Sequence, residues 1–274
     1  MRVSYEDGRR VFVIGTGNIN YSLYGTRDVW LFVSAAPSSQ ESSIEKDLRC
    51  QISVLVDPQW QQGVRAEQLA HEYASCASPT QTGEQSKFLA FLTPIAAGTP
   101  HVLLDQVIPQ LVGSARSVFL TSQDFGGPKI RRLLEGFLAK GGRLRLLLDD
   151  DWFYVRFLGE RFGMADYEFA VGWILRTQRR YPSTFEVRYL ETDNTAEFQT
   201  SLHHKFIIFQ GGSRDAVLFG SPNLKDGALL KNIENVYVVR DSDVVRRFVQ
   251  FAEDSWSKAL PDLEMPIVDS NQFR

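Results

Sequence analysis

Residues 203–235 contain His203-His204-Lys205, the apolar run Phe206-Ile207-Ile208-Phe209, then Gly220-Ser221-Pro222-Asn223 and finally Asn232-Ile233-Glu234-Asn235. His203 and Lys205 are two apart, so on a strand they share one face. An imidazole beside an ammonium suits chemistry on a phosphodiester. The run ending at Phe219 predicts a second strand, closed by a tight turn that presents Ser221 and Asn223 toward the same spot. His204 falls on the other face and is expected to be structural. His71 and His101 stand in no motif and are expected at the surface or at caps.

The pattern occurs twice. Phe12-Val13-Ile14-Gly15-Thr16-Gly17-Asn18 aligns with Val217-Leu218-Phe219-Gly220-Ser221-Pro222-Asn223. Thr16 then stands where Ser221 stands, and Asn18 where Asn223 stands. Asp28, in Arg27-Asp28-Val29-Trp30, falls one residue short of the counterpart of Glu234. The same alignment carries the counterparts of His203 and Lys205 past Met1. Met1 to Gly8 therefore reads as the continuation of a histidine-lysine strand, and the first copy as a truncated repeat.

Together these elements resemble the H-x-K, G-S-x-N and N-x-E signature of the phospholipase D superfamily. The resemblance implies His203, Lys205 and Glu234 as catalytic, and Ser221, Asn223, Thr16 and Asn18 as phosphate-binding. Asp28 and Asn232 are implied as supporting residues. In this chemistry a histidine nitrogen attacks phosphorus, and a second histidine protonates the leaving oxygen. Ammonium, hydroxyl and amide groups stabilise the nonbridging oxygens. Glu234 is expected to hold an imidazole and fix its tautomer. The superfamily pattern places an acid where this sequence has Gln210, a position expected to support local structure. No cofactor and no metal is implied. The segment from Ile14 to Asp28 is also similar to polyphosphate kinases, which leaves a phosphotransferase as a minor alternative.

Length and composition allow one large domain or two modest ones within 274 residues. The 43% hydrophobic and 23% charged content is ordinary for a globular chain. No apolar run approaches the roughly 18 residues of a membrane-spanning helix, and Met1 opens no signal-peptide pattern. The expectation therefore leans cytoplasmic. A net charge of −3 gives no global field for nucleic acid. Cys50 and Cys76 lack metal-ligand spacing and are expected to be free thiols.

Strands are expected over 11–14, 29–33, 87–92, 117–120, 144–148, 185–190, 203–209, 217–219 and 236–239. Helices are expected over 42–55, 66–75, 103–115, 129–139 and 243–257, the last capped by Asp241 or Ser242. This alternation predicts an α/β layered sheet flanked by helices. The resemblance adds two units side by side about a pseudo-twofold axis, with an incomplete first unit. The polar segment Cys76 to Gln85 divides residues 1–85 from 86–274. Between Asp149-Asp150-Asp151 and Phe185 lies an aromatic insertion (Trp152, Phe153, Tyr154, Phe157, Phe162, Tyr167, Phe169, Trp173) ending in Arg176, Arg179 and Arg180. It is expected either as helices with core aromatics or as a substrate lid. The three aspartates are expected as caps and loop residues.

The function expected is phosphodiester hydrolysis or transfer to an alcohol, with phospholipid and nucleic acid both open as substrate. The basic residues Lys129, Arg131, Arg132, Lys140, Arg143 and Arg145 fit a polynucleotide backbone or a solvated helix face. The alternative is a catalytically incomplete phosphate-binding or split subunit. An upstream segment or a homodimer is the partner expected to complete the site.

Overall fold

The computed structural model describes residues 2–16, 26–35, 42–56, 66–77, 87–93, 102–122, 125–149, 164–190 and 201–261. In chain order the first elements are β1 (Arg2–Ser4), β2 (Arg10–Gly15), β3 (Thr26–Arg27), β4 (Trp30–Ala35), α1 (Ser43–Val56) and α2 (Ala66–Cys76). Then come β5 (Phe88–Thr93), α3 (Ile108–Ser114), β6 (Ser117–Ser122), α4 (Pro128–Ala139), β7 (Arg143–Asp149), α5 (Met164–Arg180) and β8 (Phe185–Leu190). The chain continues through β9 (Ser201–Leu202), β10 (Lys205–Gln210), β11 (Ala216–Gly220), α6 (Asp226–Lys231), β12 (Glu234–Val239) and α7 (Ser242–Lys258).

A seven-stranded mixed sheet in the order β5-β12-β11-β10-β6-β7-β8 forms the centre of the molecule. The α/β layered fold expected from the alternation of elements is present. From β5 to β6 the neighbours are antiparallel, whereas β6-β7 and β7-β8 are parallel. Parallel neighbours need long crossovers, which α4 and α5 supply. Both faces are covered, so the strands read as continuous apolar runs. Along β10, Ile207 and Phe209 pack in one core cluster with α3, α4 and Trp173 of α5. Phe206 and Ile208 point the other way, to Val245, Phe248 and Trp256 of α7. The first-half strand β2 joins this second cluster through Phe12 and Ile14, and α1 through Leu48.

The first-half sheet has three antiparallel strands, β1-β2-β4. Its β2-β4 hairpin repeats the β11-β12 hairpin bond for bond. Thr16 N–H donates to Val29 O at 3.0 Å, and Ser221 N–H donates to Asn235 O at 3.0 Å. Gly15 and Gly220 occupy the same point in each copy. A Cβ would stand 2.6 Å from Val29 O in the first and 2.1 Å from Asn235 O in the second. Only glycine permits that closeness of backbones. Through β1, the register pairs Arg2 with Phe12 just as β10 pairs Ile208 with Val217. Thus β1 occupies the place of the far end of β10.

One expected helix opens differently. Residues 102–107 form a π-helical turn before α3. Pro109 has no N–H to donate to residue 105, so a regular ladder cannot run through this point. At the start of α1, Ser42 and Glu45 form a reciprocal capping box: Ser42 N–H donates to Glu45 Oε2 at 3.1 Å, and Glu45 N–H to Ser42 Oγ at 3.3 Å. Arg10 of β2 donates to Glu45 Oε1 at 2.8 Å, tying α1 to the first sheet. Asp241 caps α7, accepting from Asp243 N–H and Val244 N–H.

The cysteines depart from expectation. Cys50 and Cys76 are not free thiols but a disulfide joining α1 to α2, with Cα atoms 5.8 Å apart. The pairing follows from how the two helices pack, which sequence spacing does not express. Disulfides persist chiefly in oxidising compartments, so this one weighs against the cytoplasmic expectation. Among the described residues, no helix is long and apolar enough to cross a membrane. Closing a loop with a sequence separation of 26 stabilises by about 3.5 kcal/mol in the chain-entropy account. A Cys50→Ser variant should lose about that much in denaturant unfolding. A loss below about 1 kcal/mol would contradict the cross-link's role.

Two tyrosines, Tyr237 buried and Tyr73 half-buried, anchor α1 and α2 on the large sheet. Tyr73 donates to Ala90 O at 3.1 Å and Tyr237 to Gln51 Oε1 at 2.8 Å, while Gln51 Nε2 donates to Phe91 O at 2.9 Å. Burial pushes both phenols above their ordinary value of 10.0, against a smaller lowering by the Asn235 amide at Tyr237. The folded state then keeps protons that the unfolded chain loses. The stabilisation is present below that value and declines as pH rises beyond it. Thermal unfolding above pH 10.0 should fall less steeply for Tyr237→Phe than for the parent chain.

Candidate active site

Two very short strands create the site. Parallel pairing of β3 with β9 sets Thr26 against Ser201 and Arg27 against Leu202. The next residue on each side is Asp28 and His203, and Asp28 Oδ1 lies 2.8 Å from His203 Nδ1. Both side chains are nearly buried, 3% and 11% exposed. Behind the carboxylate, Thr16 Oγ1 donates to Asp28 Oδ1 at 2.8 Å and accepts from Val29 N–H at 3.1 Å. The carboxylate demands a proton on Nδ1, so the Nε2 lone pair of His203 is the one left for chemistry.

The second half repeats the arrangement. Ser221 Oγ donates to Glu234 Oε2 at 2.5 Å and accepts from Asn235 N–H at 3.1 Å. Asn232 Nδ2 donates to Glu234 Oε1 at 3.2 Å. Thr93 Oγ1, from β5, donates to the Asn232 carbonyl at 3.1 Å. Among the described residues Glu234 holds no imidazole, and the carboxylate on His203 is Asp28 from the other half. The physical reason is the β3-β9 pairing, which brings the first-half acid to the second-half histidine. The hydroxyls of Thr16 and Ser221 donate to the two carboxylates, and Thr16 is fully buried.

Lys205 is 3% exposed and donates from Nζ to His203 O at 3.0 Å. The bond curls the lysine back on the histidine's own backbone and keeps the two motif residues together. The strand expected from His203 begins at Lys205, so His203 stands in the extended link between β9 and β10. His204 is buried on the other side, its ring edge-on to Phe251 at 4.8 Å. Asn223 sits in the turn after β11, where Lys225 N–H donates to its carbonyl at 2.7 Å. Its side-chain Oδ1 is buried with no hydrogen-bond partner. Next to it, Leu224 N–H donates to Ser122 Oγ at 3.0 Å, a support from β6 that no motif announces.

Several expected residues lie elsewhere. Asn18, His101, Asp150 and Asp151 lie outside the described residues, as does most of the aromatic insertion. Its Trp173 belongs to the core, donating to Glu135 Oε1 at 2.6 Å between Phe125 and Phe185. The basic stretch is divided. Lys129 pairs with Asp105, Arg145 pairs with Glu253, and Arg131 is buried near Trp173.

The family model described as "Cardiolipin synthase, PLD-like domain" matches residues 107–256. No curated protein matches the chain. Among solved structures, phosphatidylserine synthase from Haemophilus influenzae Rd KW20 superposes with a TM-score of 0.60 at 13% identity, covering 95% of this chain and 62% of that one. Polyphosphate kinase from Porphyromonas gingivalis gives 0.53 at 14% identity, over 93% of this chain and 31% of that one. NucT from Helicobacter pylori gives 0.48 at 15% identity, over 64% of this chain and 99% of that one. At such identities the likeness to the synthase and the kinase is one of fold. The family match spans more than half of the chain, and on that ground this protein belongs to the phospholipase D-like family.

Proposed function

We propose that this protein cleaves phosphodiesters, with His203 Nε2 as the nucleophile. The hydrogen bond between Asp28 and His203 Nδ1 carries the reading. A carboxylate there fixes the reactive tautomer and stabilises the imidazolium-like charge as Nε2 bonds to phosphorus. An N–P bond forms as the P–O bond to the leaving alcohol breaks. Water or a second alcohol then attacks phosphorus and releases the imidazole. Lys205, whose ammonium donates to the His203 carbonyl, and Asn223, in the turn after β11, stabilise the nonbridging oxygens. Thr16 and Ser221 act one step back, each orienting a carboxylate.

Glu234 supports a second part of the reading. It matches Asp28 in its hydroxyl donor and in the backbone N–H behind that hydroxyl. We infer that Glu234 receives a second imidazole, which protonates the leaving oxygen. That group comes from chain outside the described residues or from a second polypeptide. The two halves are then related by a pseudo-twofold axis through the site. Without the second imidazole the chain is a phosphate-binding half-site with slow chemistry.

Phospholipid and nucleic acid both present the diester this reading needs. Headgroup release from phosphatidyl lipids and nicking of plasmid DNA, each in excess chelator, distinguish them. Activity on one of the two should persist in chelator, and Lys205→Ala should reduce it by about 3 kcal/mol, roughly a hundredfold, as for a lost oxyanion donor. Loss of activity in chelator with recovery on adding a divalent metal would overturn the phosphohistidine route.

A further inference from the structure

At the opposite end of the large sheet lies a cleft of about 810 Å³, lined by the end of α3, the last turns of α4 and the starts of β6 and β7. The candidate active site lies at the other end of β6, where Ser122 pairs with Lys205. A six-residue strand separates the two by about 17 Å at roughly 3.3 Å per residue. Four cations line the cleft: Arg116, Arg132, Lys140 and Arg143. All four are exposed, and among the described residues none has an ion pair or side-chain hydrogen bond. Among the described residues, no acidic residue lines the cleft. Elsewhere in this region the basic side chains are spent, Lys129 on Asp105 and Arg145 on Glu253. Four unspent like charges around one recess repel one another and favour an anion between them.

The shape narrows the ligand. Val112 and Phe137 contribute apolar wall beside the charges. Gly113 and Gly136 also line the cleft, and a Cβ built on either meets nothing within 4 Å. Glycine inside a helix costs about 1 kcal/mol relative to alanine, yet at Gly136 no packing demands it. A concave recess of this size, apolar at its wall and cationic at its rim, is of the dimensions of small-molecule sites. A membrane face or a duplex asks for a flatter or more extended charged surface.

We propose that this cleft is a second ligand site, distinct from the catalytic one, for a small anion bearing two or more phosphates. Such chemistry is shared by nucleoside polyphosphates and inorganic polyphosphates. The guanidinium groups pair with phosphate oxygens, and an organic moiety, where present, lies against the apolar wall.

Isothermal titration of the full chain with ATP and with inorganic tripolyphosphate, separately, tests this. Saturable one-to-one binding of at least one is expected, weakening as salt rises. Preference for ATP would assign the wall to an organic group, and equal affinity would assign the site to the phosphates alone. An Arg132→Ala, Arg143→Ala double variant should weaken binding about tenfold or more. Gly136→Leu keeps every charge and fills the recess, and it should weaken binding comparably. Gly136→Ala should fold at least as stably as the parent and serves as the control for helix propensity. Absence of saturable binding overturns the proposal, as does binding indifferent to both the double variant and Gly136→Leu. It is equally overturned if a DNA duplex or anionic vesicles bind through these residues while neither small anion does.

Discussion

Replacing His203 with alanine should abolish cleavage of any phosphodiester this chain acts on. Among the described residues no other imidazole approaches the carboxylates of the site. His204 is turned into the aromatic cluster with Phe251, and His71 lies on α2. Among the described residues, no neighbouring imidazole can take over as nucleophile. Headgroup release and plasmid nicking should both fall to background while the unfolding temperature changes little. His203 stands in an extended link outside the seven strands of the large sheet, so its loss leaves the sheet intact. Residual activity above background would move the nucleophile elsewhere.

Asp28→Asn should be nearly as severe. An asparagine amide can donate to Nδ1, which puts the imidazole proton on Nε2 and blocks the attacking lone pair. The same substitution in a Ser-His-Asp triad costs on the order of 10⁴ in rate through the wrong tautomer, and a loss of roughly 10³ to 10⁴ is expected here. The substitution is nearly isosteric, and an amide nitrogen at the Oδ1 position, which faces both Nδ1 and Thr16 Oγ1, leaves the Thr16 hydroxyl to accept where it had donated. Stability should therefore fall far less than rate. A variant that retains most of its activity would show that Asp28 merely fills space beside His203.

Much of the large sheet was legible because its strands alternate between two buried faces. Phe206 to Phe209, Val217 to Phe219 and Val236 to Val239 are apolar runs bounded by turns, and all fall in strands. The hairpin repeat was legible because Gly15 and Gly220 each precede a hydroxyl residue at the same close approach of backbones. The partner of His203 was not. It depends on β3 and β9, two residues each, too short to show any periodicity. Asp28 entered only by alignment, one residue out of step, and its crossing to the other half is a tertiary event. The bonds from the Thr16 and Ser221 hydroxyls to Asp28 and Glu234 were not legible for a related reason. A motif shows that a hydroxyl is present but not which oxygen receives its proton. The Cys50–Cys76 bond depends likewise on helix packing. Trp173 turned out to be core because an indole in a helix over a sheet finds both apolar neighbours and an acceptor, Glu135.

The central claim is that His203 Nε2 attacks phosphorus and becomes covalently phosphorylated. A diester with p-nitrophenol as its leaving group tests it most directly, because so good a leaving group departs without a proton from a second imidazole. On mixing with bis(p-nitrophenyl) phosphate in excess chelator, the chain should release a burst of about one p-nitrophenolate per active site. Mass spectrometry of the quenched protein should then locate the aryl phosphoryl adduct on His203, and no adduct should form on His203→Ala. A burst without an adduct on His203, an adduct on another residue, or no burst at all from the folded chain would contradict it.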